Sequence, residues 1–515
     1  MLTLSQNDHL ALEKHGLSVS QIEAQFQQLR QGVSPLNLVR PCHPRDGIIQ
    51  LSHQQAKEYH KHFQSAHAAG RVSKFIPASG AATRMFKDLL QFLEQVSSSP
   101  PTVSNDALLP EKIIQSWKNL HQFPFIDDLR HYFDMQKKDF DDLYQRKQIA
   151  TLFQTLLALP GLAFANLPKA LLPFHQYPDG TRTALEEHVH EAMMYAPSAS
   201  THIQIHLTVS EQFETQVKAH IETIQQKMSS KGYKIKITVS FQKSSTDTIA
   251  LDAHEQPFRN QEGSLVFRPG GHGALLENLN DFQGDIVFIS NIDNVVPDHL
   301  KGEIVEWRMS LAGYLLELQE QIYRHLNLLA SAQPTVVEKT KGFVQDQLHY
   351  HLPASFNELS LSGQAEELKQ ILNRPLRVCG VVPNTGDPGG GPFWVQHSDG
   401  SQSRQIVEQS QADPDSQIQQ QLFASATHFN PVDLVCGVRD YQDKPFNLLK
   451  FSDPKTSFIS HKTYEGRPLK ALEWPGLWNG GMADWITLFV EIPRSTFNPV
   501  KTFLDWLHPN HQPPS

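Results

Sequence analysis

The sequence predicts an α/β protein with a mixed, mostly parallel sheet, and three apolar runs carry this prediction. Residues 203–207 and 235–239 alternate between apolar and polar side chains, as strands do, and the helix-like stretch 211–227 separates them. Residues 286–289 are continuously β-branched or aromatic, which is typical of a strand buried on both faces. Strands that alternate with helices at this spacing usually form a parallel sheet.

Two further stretches have helical patterns. In residues 1–70, Ser20 and Glu23 have the spacing of a capping box, and an apolar face follows at Ile22, Phe26 and Leu29. Residues 86–165 form a second helical block with an apolar stripe at Ile149, Leu152, Phe153, Leu156 and Leu157. We therefore divide the chain into an N-terminal helical segment (1–70), a core (71–330) with a helical insertion (86–165), and a C-terminal part (331–515).

Composition excludes several classes of protein. The chain has 515 residues, of which 39% are hydrophobic and 19% charged, so it is not globally disordered. Its formal charge of −9 argues against a general nucleic-acid binder, which needs a basic surface. Three scattered cysteines, Cys42, Cys379 and Cys436, form neither a disulfide framework nor a zinc ribbon. Without a signal-like N-terminus or a long apolar run, we expect a cytoplasmic protein that does not bind membranes.

A strand end at Pro77 leads into small residues and then Arg84. Small side chains let backbone N–H groups approach phosphate oxygens, and an arginine can contact two oxygens at once. The segment is neither a Walker loop nor a GxGxxG motif, and a tight structural turn explains it equally well. The candidate nucleotide-binding residues here are Ser79, Gly80, Ala81 and Thr83.

Two more segments could carry chemistry. The glycines around His272 would allow close approach to a base or a phosphate. Asp293 follows the predicted buried strand at 286–289, where open α/β sheets bind ligands, and one carboxylate there suits Mg²⁺. Asp293 could equally cap the next element. Lys169, which follows a proline, is weak evidence by itself.

The last third of the chain opens with a Gly/Pro-rich break at 383–391, which is either a ligand-binding loop or a plain surface loop. Near the end, residues 493–502 and Asp505 form a segment to which simple pattern rules give no function. The sequence leaves the oligomeric state open.

Taken together, and in this order along the chain, these segments resemble the sugar nucleotidyltransferases, most closely the UDP-sugar pyrophosphorylases. In the first half of the chain, the matching parts are a glycine-rich nucleotide loop (78–85), a Pro-Lys element (168–169) and a uracil-reading Phe-x-Gln (Phe241-Gln242). Further along, residues 269–273 resemble a Pro-Pro-Gly-His-Gly segment and residues 290–294 a Ser-Asn-Ile-Asp-Asn segment. Residues 497–501, with Asp505, resemble a Phe-Leu-Pro-Val-Lys lysine motif. The chain is also similar to an uncharacterised bacterial family of domains of unknown function that itself resembles nucleotidyltransferases.

The resemblance implies a Rossmann-like fold of the nucleotide-diphospho-sugar transferase type. It also implies attack of a sugar 1-phosphate on a nucleoside triphosphate, with UTP preferred, which releases pyrophosphate with the help of Mg²⁺. The implied catalytic residues are Arg84, Lys169 and Lys501, and Asp293 would hold the metal. The implied nucleotide-binding residues are also Gln242, Gly271, His272 and Gly273, of which Gln242 and the Gly271 backbone would read the base.

Two features depart from that family. Ala82 stands where its loop usually has a second glycine, and the insertion at 86–165 separates the loop from the Pro-Lys element. An insertion is tolerated when its ends meet, and this one could form a lid or a partner surface.

Glu473 and Asn479 lie in a segment that mixes a carboxylate, an amide and aromatic residues, as a sugar site requires, although a packed turn would look the same. Two rival functions remain: a glycosyltransferase of the same fold that consumes a nucleotide sugar, and a non-catalytic sensor of nucleotide sugars. Three H-x-H pairs could suggest a zinc site. Two histidines that are two positions apart on a helix point in different directions, so we do not favour a zinc site.

Overall fold

The computed structural model describes residues 2, 4–80, 82–98, 109–195, 202–387 and 389–514. The helices are α1 (Gln6–His15), α2 (Val19–Gln31), α3 (His53–Ala68), α4 (Lys87–Ser98), α5 (Glu111–Lys118), α6 (Ile126–Met135), α7 (Phe140–Gln145), α8 (Ile149–Leu157), α9 (Ala184–Tyr195), α10 (Glu214–Ser230), α11 (Leu275–Phe282), α12 (Asp298–Leu328), α13 (Pro334–Asp346), α14 (Leu361–Leu372) and α15 (Gln417–Ala424). Within these residues, no helix has both the length and the apolar character needed to cross a bilayer.

The strands are β1 (Leu38–Pro41), β2 (His43–Pro44), β3 (Gly47–Ile49), β4 (Val72–Pro77), β5 (Pro173–Tyr177), β6 (Gly180–Thr183), β7 (His202–Val209), β8 (Lys234–Phe241), β9 (Thr248–Leu251), β10 (Phe267–Arg268), β11 (Ile286–Ser290), β12 (Leu376–Pro383), β13 (Gly391–Gln396), β14 (Gln402–Val407), β15 (His428–Gly437), β16 (Phe458–Tyr464), β17 (Arg467–Glu473) and β18 (Ile486–Glu491). The strands predicted at 203–207, 235–239 and 286–289 correspond to β7, β8 and β11.

The chain folds into two compact units. The first comprises residues 1–75, 240–289 and 307–494, and the second comprises residues 76–239, 290–306 and 495–515. Each unit is therefore assembled from segments that are distant in sequence. The division predicted from the sequence uses three contiguous segments, whereas each compact unit combines separate segments. The predicted division stays a prediction.

The first unit contains most of the main sheet, in the order β2-β3-β18-β12-β15-β11-β4. The pairs β2/β3, β3/β18, β18/β12 and β11/β4 are parallel, and β12/β15 is antiparallel. All five residues of β11 are buried, as its continuous apolar run predicts. The mixed, mostly parallel α/β fold predicted from the sequence is thereby confirmed.

The second unit contains β7 and β8 and the helical insertion. The insertion contains α4 to α8, and the five apolar residues of the predicted stripe in α8 are all buried. Their partners include Phe503 near the C-terminus, whose ring centroid lies 4.3 Å from that of Phe123 and 6.2 Å from that of Phe153. The insertion thus shares its core with the C-terminal segment.

The N-terminal segment contains three helices and also the short strands β1 to β3. Two of these strands pair with distant parts of the chain, β1 with β13 and β3 with β18, and local periodicity does not reveal such pairing. The capping box predicted at Ser20 and Glu23 is wrong. Helix α2 starts earlier, at Val19, and Ser18 forms the box with Gln21.

Candidate functional site

The loop after β4 lies in the second unit and is tied to its neighbours by backbone groups. The Ala78 N–H donates to Thr208 O of β7 (2.9 Å), and the Ser210 hydroxyl donates to Ser79 O (2.7 Å). Ala82 donates its N–H to Leu167 O (3.2 Å) and is completely buried, so its extra methyl packs inside the unit.

Three described residues of the loop face solvent. Gly80, Thr83 and Arg84 are exposed, and a Cβ added at Gly80 would meet no atom within 4 Å. Ala81 lies outside the described residues. Arg84 is thus a cation at the surface of this loop, with no ion-pair partner among the residues that the structure describes.

Lys169 links three segments of the second unit. Its Nζ donates to Asp293 Oδ2 at 2.7 Å and to Val500 O at 3.0 Å. The side chains of Lys169 and Asp293 are only 16% and 15% exposed, so their attraction is screened less than that of a surface pair. The structure therefore brings together the Pro-Lys element, the Asp293 loop and the C-terminal lysine motif.

A buried amide holds the C-terminal segment beside Asp293. Asn294 is 4% exposed, and its Oδ1 accepts from the Asn498 N–H at 2.8 Å. The Val500 N–H donates to Asp293 O at 3.0 Å, which extends this pairing. The motif comparison assigned no role to Asn294 or Asn498. The position of Asn294 directly after Asp293 was the one signal in the sequence that could have pointed to it.

Lys501 is exposed and follows this anchored stretch. Its Nζ lies 5.3 Å from the centroid of the Phe497 ring. The backbone N–H groups of Lys501 and Thr502 both donate to Asp505 Oδ2 at 2.7 Å, so Asp505 caps the turn after the lysine. The Phe503 N–H donates to Met85 O (3.1 Å), which joins this turn to the end of the Arg84 loop.

The second unit therefore holds Arg84, Lys169, Lys501 and Asp293 on segments that hydrogen-bond to one another. Arg84 and Lys501 are exposed, while Lys169 is half-buried and paired. Exposed cations can bind phosphate oxygens without a large desolvation cost, and these segments carry two exposed cations and a paired lysine. Such an arrangement can bind and orient polyphosphate.

The predicted base-binding glycines lie in the first unit, against the segment that contains Glu473. Gly271 has φ +76°, and a Cβ there would lie 2.8 Å from Glu473 Oε2. A Cβ at Gly273 would lie 2.1 Å from Pro475 O. The Trp474 N–H donates to Gly270 O at 2.8 Å. Only glycine permits this close packing of the two segments.

His272 is held as a neutral side chain. Burial lowers its pKa to about 4, although the nearby Glu473 acts in the opposite direction. Its Nδ1 accepts from the Leu477 N–H at 3.1 Å, and its ring stacks on Trp478 at 4.6 Å between centroids. At neutral pH this leaves the proton on Nε2, which makes His272 a fixed hydrogen-bond donor.

Gln242 follows the end of β8 and is half-buried, with no hydrogen-bond partner among the described residues. The preceding residue is fixed, because Asn278 Nδ2 donates to Phe241 O at 2.8 Å. The Gln242 amide is thus available to a ligand.

Glu473 and Asn479, the predicted sugar residues, also lie in the first unit. Burial raises the pKa of Glu473, but Lys462 at 2.5 Å and Ser460 at 3.1 Å outweigh this and hold the pKa below its ordinary value. Asn479 is 1% exposed and donates to Ile406 O at 3.2 Å. The structure therefore places Asn479 within the packing of this unit.

No cluster of three or more His, Cys, Asp or Glu side chains that could hold a metal occurs among the described residues. A site made of protein ligands alone is therefore not found in this part of the chain. Asp293 is a single carboxylate, which fits only an ion that takes its other ligands from water and phosphate.

Comparison with known proteins gives structural and family matches. The uridine diphosphate N-acetylglucosamine pyrophosphorylase from Trypanosoma brucei is 11% identical, with a TM-score of 0.47 over 96% of this chain and 79% of that one. A variant of UDP-glucose pyrophosphorylase from Leishmania major, in complex with UDP-glucose, is 14% identical, with a TM-score of 0.44 over 98% and 79%.

No curated protein matches the chain. One family model matches residues 5–512, which is almost the entire sequence. That model is described as a domain of unknown function, in agreement with the second resemblance stated above. The chain belongs to this family, DUF4301.

Proposed function

We propose that this protein is a sugar-1-phosphate nucleotidyltransferase, which makes a nucleotide sugar and pyrophosphate from a nucleoside triphosphate and a sugar 1-phosphate. UTP is the proposed triphosphate. The observation that carries the proposal is the contact of Lys169 with Asp293 and with Val500 O, which joins segments 124 and 331 residues away from the lysine. It supports a single cationic site in the second unit built from three of the motifs.

The reaction needs no protein nucleophile, because an oxygen of the sugar phosphate attacks the α-phosphorus and pyrophosphate leaves. Two anions must meet, so the protein has to neutralise charge and orient the reactants. In this proposal Arg84 and the loop with Ser79, Gly80, Ala81 and Thr83 hold the triphosphate. Lys169 and Lys501 bind the reacting phosphates and stabilise the charge that develops on their oxygens.

Asp293 would hold Mg²⁺, which when bound supplies positive charge to the phosphates. The fit rests on donor chemistry, since Mg²⁺ commonly takes one or two carboxylates and completes its shell with water and phosphate. Lys169 donates to Oδ2 of Asp293, and Oδ1 would be the ligand to the metal.

In the first unit, Gln242 and the backbone of Gly271 to Gly273 would read the base. A glutamine amide can pair with both a ring N–H and a carbonyl of uracil. His272 would add a neutral donor. Glu473 and Asn479 are the proposed sugar residues.

The test is a pyrophosphate assay with Mg²⁺, each nucleoside triphosphate in turn and a panel of sugar 1-phosphates. Pyrophosphate release that requires a sugar phosphate, and that is faster with UTP than with the other triphosphates, supports the proposal. Hydrolysis of, or transfer from, UDP-sugars alone would identify a glycosyltransferase instead. Binding of nucleotide sugars without turnover would identify a sensor.

A further inference from the structure

A cavity of about 720 Å³ lies in the first unit beside the Gly/Pro-rich break. Its described lining combines amides, carboxylates, glycines and two aromatic rings, among them Asn384, Asp387, Gly389, Glu408, Gln420 and Phe429. Amide and carboxylate groups beside apolar surface are what a hydroxyl-rich ligand requires. The proposed function assigns nothing to this cavity.

Glu408 connects the cavity to the predicted sugar residues. Burial raises its pKa, the negative charge of Glu473 raises it further, and hydrogen bonding with the Asn479 amide acts against the shift. Glu408 therefore lies close to both residues while also lining the cavity. Nothing in the local sequence distinguishes this glutamate from the other acidic residues of the chain.

The charge of the lining disfavours an anion. The described lining residues include no lysine or arginine. Asp387 is already paired with Arg494 at 2.6 Å, and His428 lies 3.2 Å from Glu491. Among the described residues Glu408 has no cationic partner, so a ligand carboxylate would find no lysine or arginine in the lining to offset the cost of burying its charge.

Two glycines of the break, Gly390 and Gly391, allow the chain beside the cavity to pack closely against its neighbours. A Cβ at Gly390 would lie 2.9 Å from Ile406 Cγ2 and 3.4 Å from Glu408 Cγ, and a Cβ at Gly391 would lie 2.9 Å from Phe393 Cε2. The backbone at these glycines therefore packs directly against the strand that ends at Val407 and against Glu408 itself.

We propose that this cavity binds the uncharged, hydroxyl-rich ring of the sugar substrate, with Glu408 accepting hydrogen bonds from its hydroxyl groups. The substrate class is thus a neutral sugar rather than a uronic acid. This inference rests on the proposed function for its link to turnover, but sugar binding in the cavity can be measured without turnover.

The experiment compares Glu408→Gln with Glu262→Gln, which removes the same charge from an exposed turn of the same unit. Saturation-transfer NMR with free glucose, galactose, N-acetylglucosamine and glucuronate measures binding directly. We expect saturation transfer to at least one neutral sugar and none to glucuronate. The transfer signal of the neutral sugar should be lost in Glu408→Gln and kept in Glu262→Gln. Transfer to no neutral sugar, or equal transfer to both variants, overturns the inference.

Kinetics separate this inference from the proposed function. With a sugar 1-phosphate that supports pyrophosphate release, Glu408→Gln should raise the KM for that sugar phosphate about 10-fold to 100-fold and leave the KM for the nucleotide unchanged. If the enzyme is active and Glu408→Gln leaves the KM for the sugar phosphate unchanged, the inference is overturned and the proposed function stands. Absence of turnover with every sugar phosphate refutes the function, and the NMR result then decides on the cavity alone.

Discussion

The two candidate sites of this protein differ in how they present polar groups. In the second unit, Arg84 and Lys501 are exposed full charges, and Lys169 is paired with Asp293. In the first unit, His272 is neutral, and Glu473 is neutralised by Lys462. Charge attracts phosphate at a distance but discriminates poorly, whereas fixed neutral donors and acceptors select by shape. In the proposed function, this contrast suits the residues of the second unit to phosphate binding and those of the first to recognition of the base and the sugar.

The largest expected effect comes from Lys169. Replacing Lys169 with Ala removes a cation from the site and leaves the Asp293 carboxylate unpaired, so we expect kcat in the pyrophosphate assay to fall about 1,000-fold. The control is Lys112→Ala, which breaks an exposed pair with Asp88 in the same unit and should leave kcat unchanged. Equal activity of the two variants would remove Lys169 from the proposed chemistry.

Lys501→Ala should lower kcat about 100-fold, because an exposed lysine can bind substrate phosphate without supporting the fold. Its free energy of unfolding in urea should stay within about 0.5 kcal/mol of the wild-type value. Lys234→Ala, at another exposed position of the second unit, serves as the control for both measurements. Near-normal turnover of Lys501→Ala would exclude Lys501 from the site.

Asn294→Ala tests whether the buried amide anchors the C-terminal segment. The change leaves the Asn498 N–H without its acceptor inside the protein, so we expect the free energy of unfolding to fall by about 2–4 kcal/mol. Hydrogen exchange at the Val500 amide should accelerate, since that bond to Asp293 O belongs to the same pairing. The control is Asn291→Ala, a half-buried position in the same motif, and equal exchange in both variants would contradict the anchoring role.

The smallest expected effect concerns the neutral His272. Its folded pKa of about 4 lies below the ordinary 6.5, so the unfolded chain binds more protons between these values and stability falls as the pH drops through this window. Between pH 7 and pH 5 we expect His272 to cost about 1–2 kcal/mol of unfolding free energy. His272→Gln should lack this component in urea unfolding at the two pH values. An identical pH dependence in both proteins would show that His272 is not held neutral by burial.

Local sequence patterns predicted part of this structure well. The alternating and continuous apolar runs gave β7, β8 and β11, and the stripe in α8 is buried, because side-chain periodicity follows directly from backbone geometry. The prediction failed for the cap of α2, where Ser18 and Ser20 are both plausible cap residues and the helix begins directly after Ser18.

Motif order named Arg84, Lys169, Asp293 and Lys501 as one group, but it could not supply their contacts. The bond from Lys169 to Asp293 spans 124 residues, and whether two such side chains meet depends on chain closure that no local pattern encodes. Asn294 lies inside a recognised motif, but the sequence assigned it no role. Its hydrogen bond with Asn498 is visible only in the structure.

By itself, the sequence determined the fold class, the family and the residue types available for phosphate binding, since these follow from periodicity, composition and motif order. Only the tertiary structure decided that Ala82 buries its methyl, that His272 is neutral, and that Glu408 lies beside Glu473 at the edge of a cavity. The physical reason is that burial and electrostatic environment arise from neighbours brought together by folding, and residues 408 and 473 become neighbours only in the folded chain.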